Sequence, residues 1–138
     1  MFEKIVKIRN ARKILQLDLS QRRSYVGKIG EQLVADIYSS QGYVVVGRNA
    51  HTGKYGELDV VAIKDKNICF IEVKTRLSEK FGNAIESISV VKQFRLQNAI
   101  HQYLRSHPKY ESYVPFLHFA ALSVNLDKSH VSVTIVDN

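Results

Sequence analysis

Cysteine and long apolar stretches are scarce in this sequence of 138 residues. It contains one cysteine, Cys69, which excludes a disulfide framework and a zinc site built from several cysteines. Its apolar runs are only a few residues long, so no segment is expected to span a membrane. The five histidines form no His-x-x-x-His or His-Glu-x-x-His pattern, and no Gly-x-x-x-x-Gly-Lys loop is present. Zinc-hydrolase chemistry and ATP use are therefore not indicated.

Acidic residues are few near the N-terminus. Residues 1–28 hold eight bases and two acids, which together give +6 of the formal net charge of +7. Apolar residues Phe2, Ile5, Ile8 and Leu15 lie near one helical face, which predicts a basic, helical N-terminal arm over residues 1–22 ahead of a single domain over residues 23–138. The arm would serve as a surface helix, a dimer contact or a phosphate-binding segment. Bases interrupt its apolar residues, so we expect no secretory signal and a cytoplasmic location.

Hydrophobic spacing predicts an α/β domain. We expect a helix over residues 23–40 that stops at Gly42, and a second helix over residues 90–105. Short β-branched runs predict five strands, of which two pairs form hairpins. The predicted strands are listed by residue: 43–46, 57–64, 68–74, 116–125 and 130–136. A mixed sheet of about five strands with a helix on each face would bury these segments.

Two acids and a lysine interrupt the apolar strands of the first predicted hairpin. Asp59 shares a strand face with Glu57, and Glu72 shares one with Lys74, because side chains alternate along a strand. Folding at residues 64–67 brings Asp59 beside Glu72 or Lys74. A divalent cation such as Mg²⁺ would relieve the repulsion between the acids, with Asp59, Glu72 and the Val73 carbonyl as ligands. Lys74 would then stabilise charge on an attacking water. The alternative is that Glu72 and Lys74 form ordinary surface pairs.

These motifs resemble the active-site pattern of the PD-(D/E)xK nuclease superfamily. More closely, the chain resembles the YraN-like family of small predicted bacterial endonucleases. The matching segments are Gly27-x-x-Gly30-Glu31-x-x-x-Ala35, Gly42-Tyr43, Arg48-Asn49, Gly56-Glu57-Leu58-Asp59, Phe70 to Arg76, Phe81-Gly82 and Lys92. The chain departs from the family where residues 117–121 replace an Arg-Phe-Asp-like strand start. The resemblance implies a restriction-endonuclease-like fold and a Mg²⁺- or Mn²⁺-dependent nuclease.

The resemblance also implies roles for individual residues. Asp59 and Glu72 would be metal ligands and Lys74 the catalytic lysine. Glu31 would point toward the metal, and Glu57 would position water or a second ion. Residues expected to contact nucleic acid, from the resemblance or from the basic arm, are Thr75, Arg76, Lys92, Arg22, Arg23 and Lys28. Lys92 would alternatively steady the acids.

Two functions remain open at this point. The first is a metal-dependent endonuclease that hydrolyses DNA phosphodiesters, with branched or junction DNA as a possible substrate and a homodimer as its form. The second is a non-catalytic nucleic-acid-binding module on the same fold, which binds through its basic arm. A partner-binding protein is a third, more general interpretation. The basic charge favours a nucleic-acid partner in both of the first two.

Overall fold

The computed structural model describes residues 2–77 and 89–137, so the Phe81-Gly82 segment of the family pattern lies outside the described residues. The strands are β1 (Phe2–Lys7), β2 (Val44–His51), β3 (Glu57–Lys64), β4 (Asn67–Arg76), β5 (Val114–Asn125) and β6 (His130–Asp137). The helices are α1 (Ala11–Leu15), α2 (Leu19–Ser40) and α3 (Val90–Ser106), with 3₁₀ turns at Gly53–Tyr55 and Pro108–Tyr110. Within the described residues, no helix has the length and apolar character needed to cross a membrane.

The six strands form one mixed sheet in the order β1-β6-β5-β4-β3-β2. Strands β4 and β5 are parallel, and the chain between them includes α3. The remaining neighbours are antiparallel, which confirms both predicted hairpins. Strands β3 and β4 are joined by Asp65 and Lys66, which have φ values of 52° and 65°. Two consecutive left-handed residues are typical of the type I′ turn that fixes hairpin register.

The two long helices cover opposite faces of the sheet. Apolar residues of α2, such as Val34 and Ile37, pack with Val60 and Ile71 in one buried cluster. The apolar face of α3, including Leu96, packs against a second cluster formed from the same strands. Since side chains alternate along a strand, β3 and β4 supply both clusters and are buried on both sides. The predicted class, α/β with a mixed sheet flanked by helices, is confirmed, with six strands where about five were expected.

The prediction of a helical arm is wrong for Phe2–Lys7. These residues form β1, which pairs with β6 from Phe2 opposite Ile135 to Lys7 opposite His130. Apolar residues four apart, Phe2 and Val6, suit a strand as well as a helix, and they are the half-buried ones. Ile5, which the helical interpretation placed on the apolar face, is 70% exposed. Hydrogen bonding to the edge of β6 decided the conformation, because backbone groups at a sheet edge need partners.

Helix α2 begins at Leu19, four residues before the predicted start. Asp18 caps it: its carboxylate accepts a 2.8 Å hydrogen bond from the N–H of Gln21, whose side chain accepts one from the N–H of Asp18. This reciprocal pair is a capping box, which satisfies two backbone donors at the helix end. Residues 19–22 of the predicted arm are therefore the first turn of α2.

Candidate active site

Asp59 lies where β3 separates from β4. The backbone pairing of the two strands runs from their turn to Val60 opposite Ile71. Past that pair, Oδ2 of Asp59 accepts a 2.8 Å hydrogen bond from the N–H of Val73. Leu58 packs in the α3-side cluster and Val60 in the α2-side cluster, so the regular alternation is interrupted at Asp59. The carboxylate thus replaces a backbone acceptor at the point where the strands part.

The turn before β3 fixes the entry of this strand. Gly56 has a φ of 84°, and a Cβ there would lie 3.0 Å from a guanidinium nitrogen of Arg95. That guanidinium donates to the carbonyl of Tyr55, and the hydroxyl of Thr52 donates to the carbonyl of Gly56 at 2.6 Å. The glycine of the Gly-Glu-Leu-Asp motif therefore allows the backbone conformation that leads into β3 and to Asp59.

Glu72 is buried beside Asp59, with 8% of its surface exposed. Its Oε1 lies 3.1 Å from Nζ of Lys92, in the first turn of α3. Its Oε2 is buried and has no hydrogen-bond partner among the described residues. Leaving a buried acceptor unsatisfied costs about 1–3 kcal/mol, and more for a charged group. The site therefore holds a carboxylate oxygen that no described residue satisfies.

The carboxyl of Asp59 is hard to ionise in this setting. Burial, and after it the neighbouring charge of Glu72, are the main causes that raise its pKa from 3.8 to about 7. The Val73 N–H lowers the pKa, Glu31 raises it, and Lys92 lowers it. Like charges held together in a partly dry environment disfavour ionisation. At neutral pH Asp59 therefore favours either a bound proton or a nearby cation.

Glu31 reaches the acid cluster from α2. Its Oε2 accepts a 3.2 Å hydrogen bond from the side chain of Asn49, which has a φ of 47° in β2. Arg48 donates to the next helix residue, Gln32, at 3.1 Å. The Arg48-Asn49 segment therefore ties β2 to α2 and positions Glu31. The family pattern includes this segment but assigns it no role, and the role depends on contacts that span sixteen to eighteen residues.

The depth of α2 against the sheet is set one residue before Glu31. A Cβ on Gly30 would lie 2.2 Å from Oγ1 of Thr75 and 3.3 Å from its Cβ. Helix and strand thus approach too closely here for any side chain but hydrogen. Thr75, predicted to contact phosphate, lies in this helix–strand contact.

Glu57 is exposed on the outer side of the cluster. Its carboxylate lies 3.4 Å from Nε2 of His51, the residue opposite it in β2. Of the predicted catalytic acids, Asp59 and Glu72 lie beside each other, Glu31 raises the pKa of Asp59 through its charge, and Glu57 has a different partner.

The basic residues predicted to bind nucleic acid lie in different places. Arg23, Lys74, Thr75 and Arg76 line one groove of about 600 Å³ between the start of α2 and the end of β4. Lys28 lies on a separate shallow surface of α2. Predicted contact residues Arg22 and Lys92 both have intramolecular partners: the guanidinium of Arg22 donates to the carbonyls of Leu15 and Leu17, and Lys92 pairs with Glu72.

The donor atoms around Asp59 suit a hard divalent cation. Asp59 and Glu72 supply carboxylate oxygens, and the Val73 carbonyl lies on the same side of β4 as its N–H, toward Asp59. Residues 2–77 and 89–137 contain no group of three or more His, Cys, Asp and Glu side chains arranged to hold a metal. Mg²⁺ is commonly bound by one or two carboxylates with water and substrate phosphate as its other ligands. The unpartnered oxygen of Glu72 fits this arrangement.

A second polar cluster on the α2 face was missed from the sequence. Nδ1 of His118 lies 2.7 Å from the Tyr38 hydroxyl and 3.0 Å from Sγ of Cys69. Nε2 of His118 lies 3.1 Å from Asp137. Cys69 is 1% exposed, as predicted for a buried thiol, and burial raises its pKa to about 12. A neutral thiol that solvent cannot reach is a packing group rather than a nucleophile.

These features define a class of protein before any comparison. A mixed sheet between two helices, with two acids where a hairpin opens and a lysine two residues further along β4, is a restriction-endonuclease-like arrangement. The chain itself belongs to the uncharacterised protein family UPF0102, whose sequence profile matches residues 30–125. The resemblance to the YraN-like family is thereby confirmed.

Relatives of known source agree with this membership. A UPF0102 protein of Syntrophomonas wolfei is 37% identical over 113 residues, covering 82% of this chain and 95% of the relative. One of Clostridium perfringens is 42% identical over 91 residues, covering 66% and 74%. One of Dictyoglomus turgidum is 37% identical over 81 residues, covering 59% and 68%. These names state no activity, so the function must be argued from the site.

Proposed function

We propose that this protein is a metal-dependent nuclease that hydrolyses DNA phosphodiesters at the Asp59–Glu72–Lys74 site. The observation that carries the proposal is the buried Oε2 of Glu72, which has no partner among the described residues. A structural ion pair would leave no reason to hold that oxygen unsatisfied beside a second carboxylate that is itself hard to ionise. A cation-binding site explains both features together.

Asp59, Glu72 and the Val73 carbonyl would hold Mg²⁺ or Mn²⁺. When bound, the ion would neutralise charge on the phosphodiester and lower the pKa of water. The chain's own contribution is to orient these oxygens. The Val73 N–H fixes one oxygen of Asp59, and Lys92 fixes Oε1 of Glu72 while leaving Oε2 directed elsewhere.

Lys74 and Glu31 complete the proposed site. Lys74 lies two residues after Glu72 on β4 and is exposed, so its ammonium can reach a phosphate oxygen and stabilise the negative charge that develops there. Glu31, which accepts a hydrogen bond from Asn49 and whose charge acts on Asp59, would bind a water at the rim of the site. A role for Glu57 in positioning water stays a prediction, since its carboxylate lies against His51.

Selectivity for branched or junction DNA, and a homodimer that presents two sites to such a substrate, are parts of the same proposal. A symmetric pair of sites would suit a symmetric four-way junction. The cleavage experiment therefore includes linear, flapped and four-way-junction duplexes of matched length.

The test is cleavage of these duplexes by the purified full chain with Mg²⁺, Mn²⁺ or EDTA. We expect metal-dependent nicking that falls by at least about 100-fold in Asp59→Asn, Glu72→Gln and Lys74→Met, since each removes a group that acts on the reacting phosphate. Asp65→Asn and Lys128→Met remove exposed charges from turns and are the matched controls. No cleavage of any duplex, or equal cleavage by the three site variants, would refute the proposal.

The rival function, a nucleic-acid-binding module without catalysis, makes a different prediction. Carboxylates near a bound phosphate repel it unless a cation intervenes. If the protein is a binding module, the Asp59→Asn variant should therefore bind DNA more tightly than the unaltered chain in EDTA. Adding Mg²⁺ should not change this difference in affinity. In a nuclease, Ca²⁺ or Mg²⁺ should strengthen binding of DNA to the unaltered chain and leave Asp59→Asn unaffected.

A further inference from the structure

The groove between the start of α2 and the end of β4 carries a concentration of positive charge. Among the described residues, its lining includes three bases, Arg23, Lys74 and Arg76, and no acid. Beyond residue 28 the chain holds twelve bases and eleven acids. Three bases without a carboxylate are therefore a local departure from a nearly neutral domain.

The apolar walls of the groove should strengthen the interaction of its bases with an anion. Its remaining walls include the apolar side chains of Leu19, Val26 and Leu77, and apolar walls strengthen the interaction of a cation with a bound anion. Arg76 lines the groove, and the planar guanidinium of an arginine suits bidentate binding of a phosphate.

The position of the groove relates it to the acids. Lys74 and Arg76 are two and four residues beyond Glu72 on the same strand, so their Cα atoms are about 7 Å and about 13 Å further along β4. The groove therefore lies within a few nucleotides of the acid pair.

We infer that this groove is a second phosphate subsite, in which Arg23 and Arg76 hold the nucleic-acid backbone a few nucleotides from the phosphate at Asp59 and Glu72. The inference rests on the proposed function for the identity of the substrate. Lys74 is shared by the two proposals: it lines the groove, and it is the residue proposed to stabilise charge on the reacting phosphate. The two arginines are positioning residues, which bind the strand without contacting the reacting atoms.

The subsite predicts that Arg23 and Arg76 matter for long substrates and not for short ones. In EDTA, Arg23→Gln and Arg76→Gln should each weaken binding of a duplex of about 20 base pairs by about 5- to 20-fold. Each should also reduce the slope of log affinity against log salt by about one. With metal, both variants should raise KM for DNA and keep the rate of hydrolysis of bis(p-nitrophenyl) phosphate, which is too small to span the two sites. Arg105→Gln, which removes an exposed charge from the last turn of α3 and not from the groove, is the matched control.

Each result is decisive for one of the two proposals. The subsite proposal would be overturned if DNA affinity and salt slope were unchanged both in Arg23→Gln and in the variant that combines Arg23→Gln with Arg76→Gln, whatever the cleavage assays show. Arg23 is exposed, so its substitution tests the subsite even if Arg76→Gln, which lies partly buried, alters folding. Weakened binding in EDTA without any cleavage by the unaltered chain would support the subsite and refute the nuclease.

Discussion

Replacing Asp59 with asparagine should stabilise the protein while abolishing its proposed activity. The asparagine carbonyl keeps an acceptor for the Val73 N–H, which the carboxylate binds at 2.8 Å. The substitution removes a negative charge that is partly buried beside Glu72 and Glu31. The folded state therefore loses a repulsion and a desolvation cost, and it retains its hydrogen bond.

The magnitude follows from the pKa. A carboxyl whose pKa is 3.8 when unfolded and about 7 when folded binds its proton more tightly in the folded state. Below pH 3.8 the carboxyl is protonated in both states and costs the folded state no stability. The loss of stability from its ionisation grows as the pH rises to about 7 and is constant above that. At about 1.4 kcal/mol per pH unit the upper bound is about 4 kcal/mol. Readjustment of Glu72 and Lys92 should reduce this to about 2 kcal/mol.

The assay is urea or thermal unfolding of the unaltered chain and Asp59→Asn between about pH 4 and 9. The stability difference should be near zero at pH 4, rise through pH 7 and then level off. At pH 8, about 10 mM Mg²⁺ should stabilise the unaltered chain and not the variant. Asp65→Asn, in the exposed turn, should show no such pH dependence. A difference that is independent of pH, or a variant less stable at pH 8, would refute the reasoning.

Three further substitutions test other contacts. Gly30→Ala should destabilise the fold by about 1–3 kcal/mol through its clash with Thr75, and Thr75→Ala should recover part of the loss in a double-mutant unfolding cycle; full additivity would argue against the contact. Lys92→Met leaves the Glu72 carboxylate buried without its ion pair and should lower the free energy of unfolding by about 3–5 kcal/mol. A measured loss below about 1 kcal/mol would contradict this. Burial lowers the pKa of His118, so its protonation should destabilise the folded state below pH 6.5, and His118→Gln should flatten the pH dependence measured there; an unchanged slope would contradict this.

Local sequence patterns predicted most of the sheet and both long helices. Apolar β-branched runs and their turn lengths determine β3, β4, β5 and β6 because each pattern is satisfied within a few residues. Strand β1 was missed since Phe2 and Val6 fit two periodicities, and only the edge of β6, more than 120 residues away, selects one. The early start of α2 was readable from Asp18 and Gln21, which have the spacing of a capping box.

The candidate site was predicted in part for the same reason. The turn at residues 64–67 is a local feature that sets which residues of the hairpin face each other, so Asp59 could be placed beside Glu72 or Lys74 from the sequence. The contact of Asn49 with Glu31 and the cluster around His118 depend on how helices and distant strands meet. No spacing rule relates residues 38, 69, 118 and 137, and that cluster could be found only in three dimensions.

The two-residue turn at Asp65 and Lys66 has a consequence for the fidelity of folding. It lies six residues, or about 20 Å along the strand, from Asp59, yet it sets the register that brings Val73 to that carboxylate. A shift by one residue would exchange the two faces of β4 and turn Glu72 away from Lys92. One residue inserted into the turn should therefore abolish the proposed metal response while the sheet still forms, and a retained response would contradict this. The accuracy of the proposed site is thus decided at the far end of the hairpin, by residues that take no part in its chemistry.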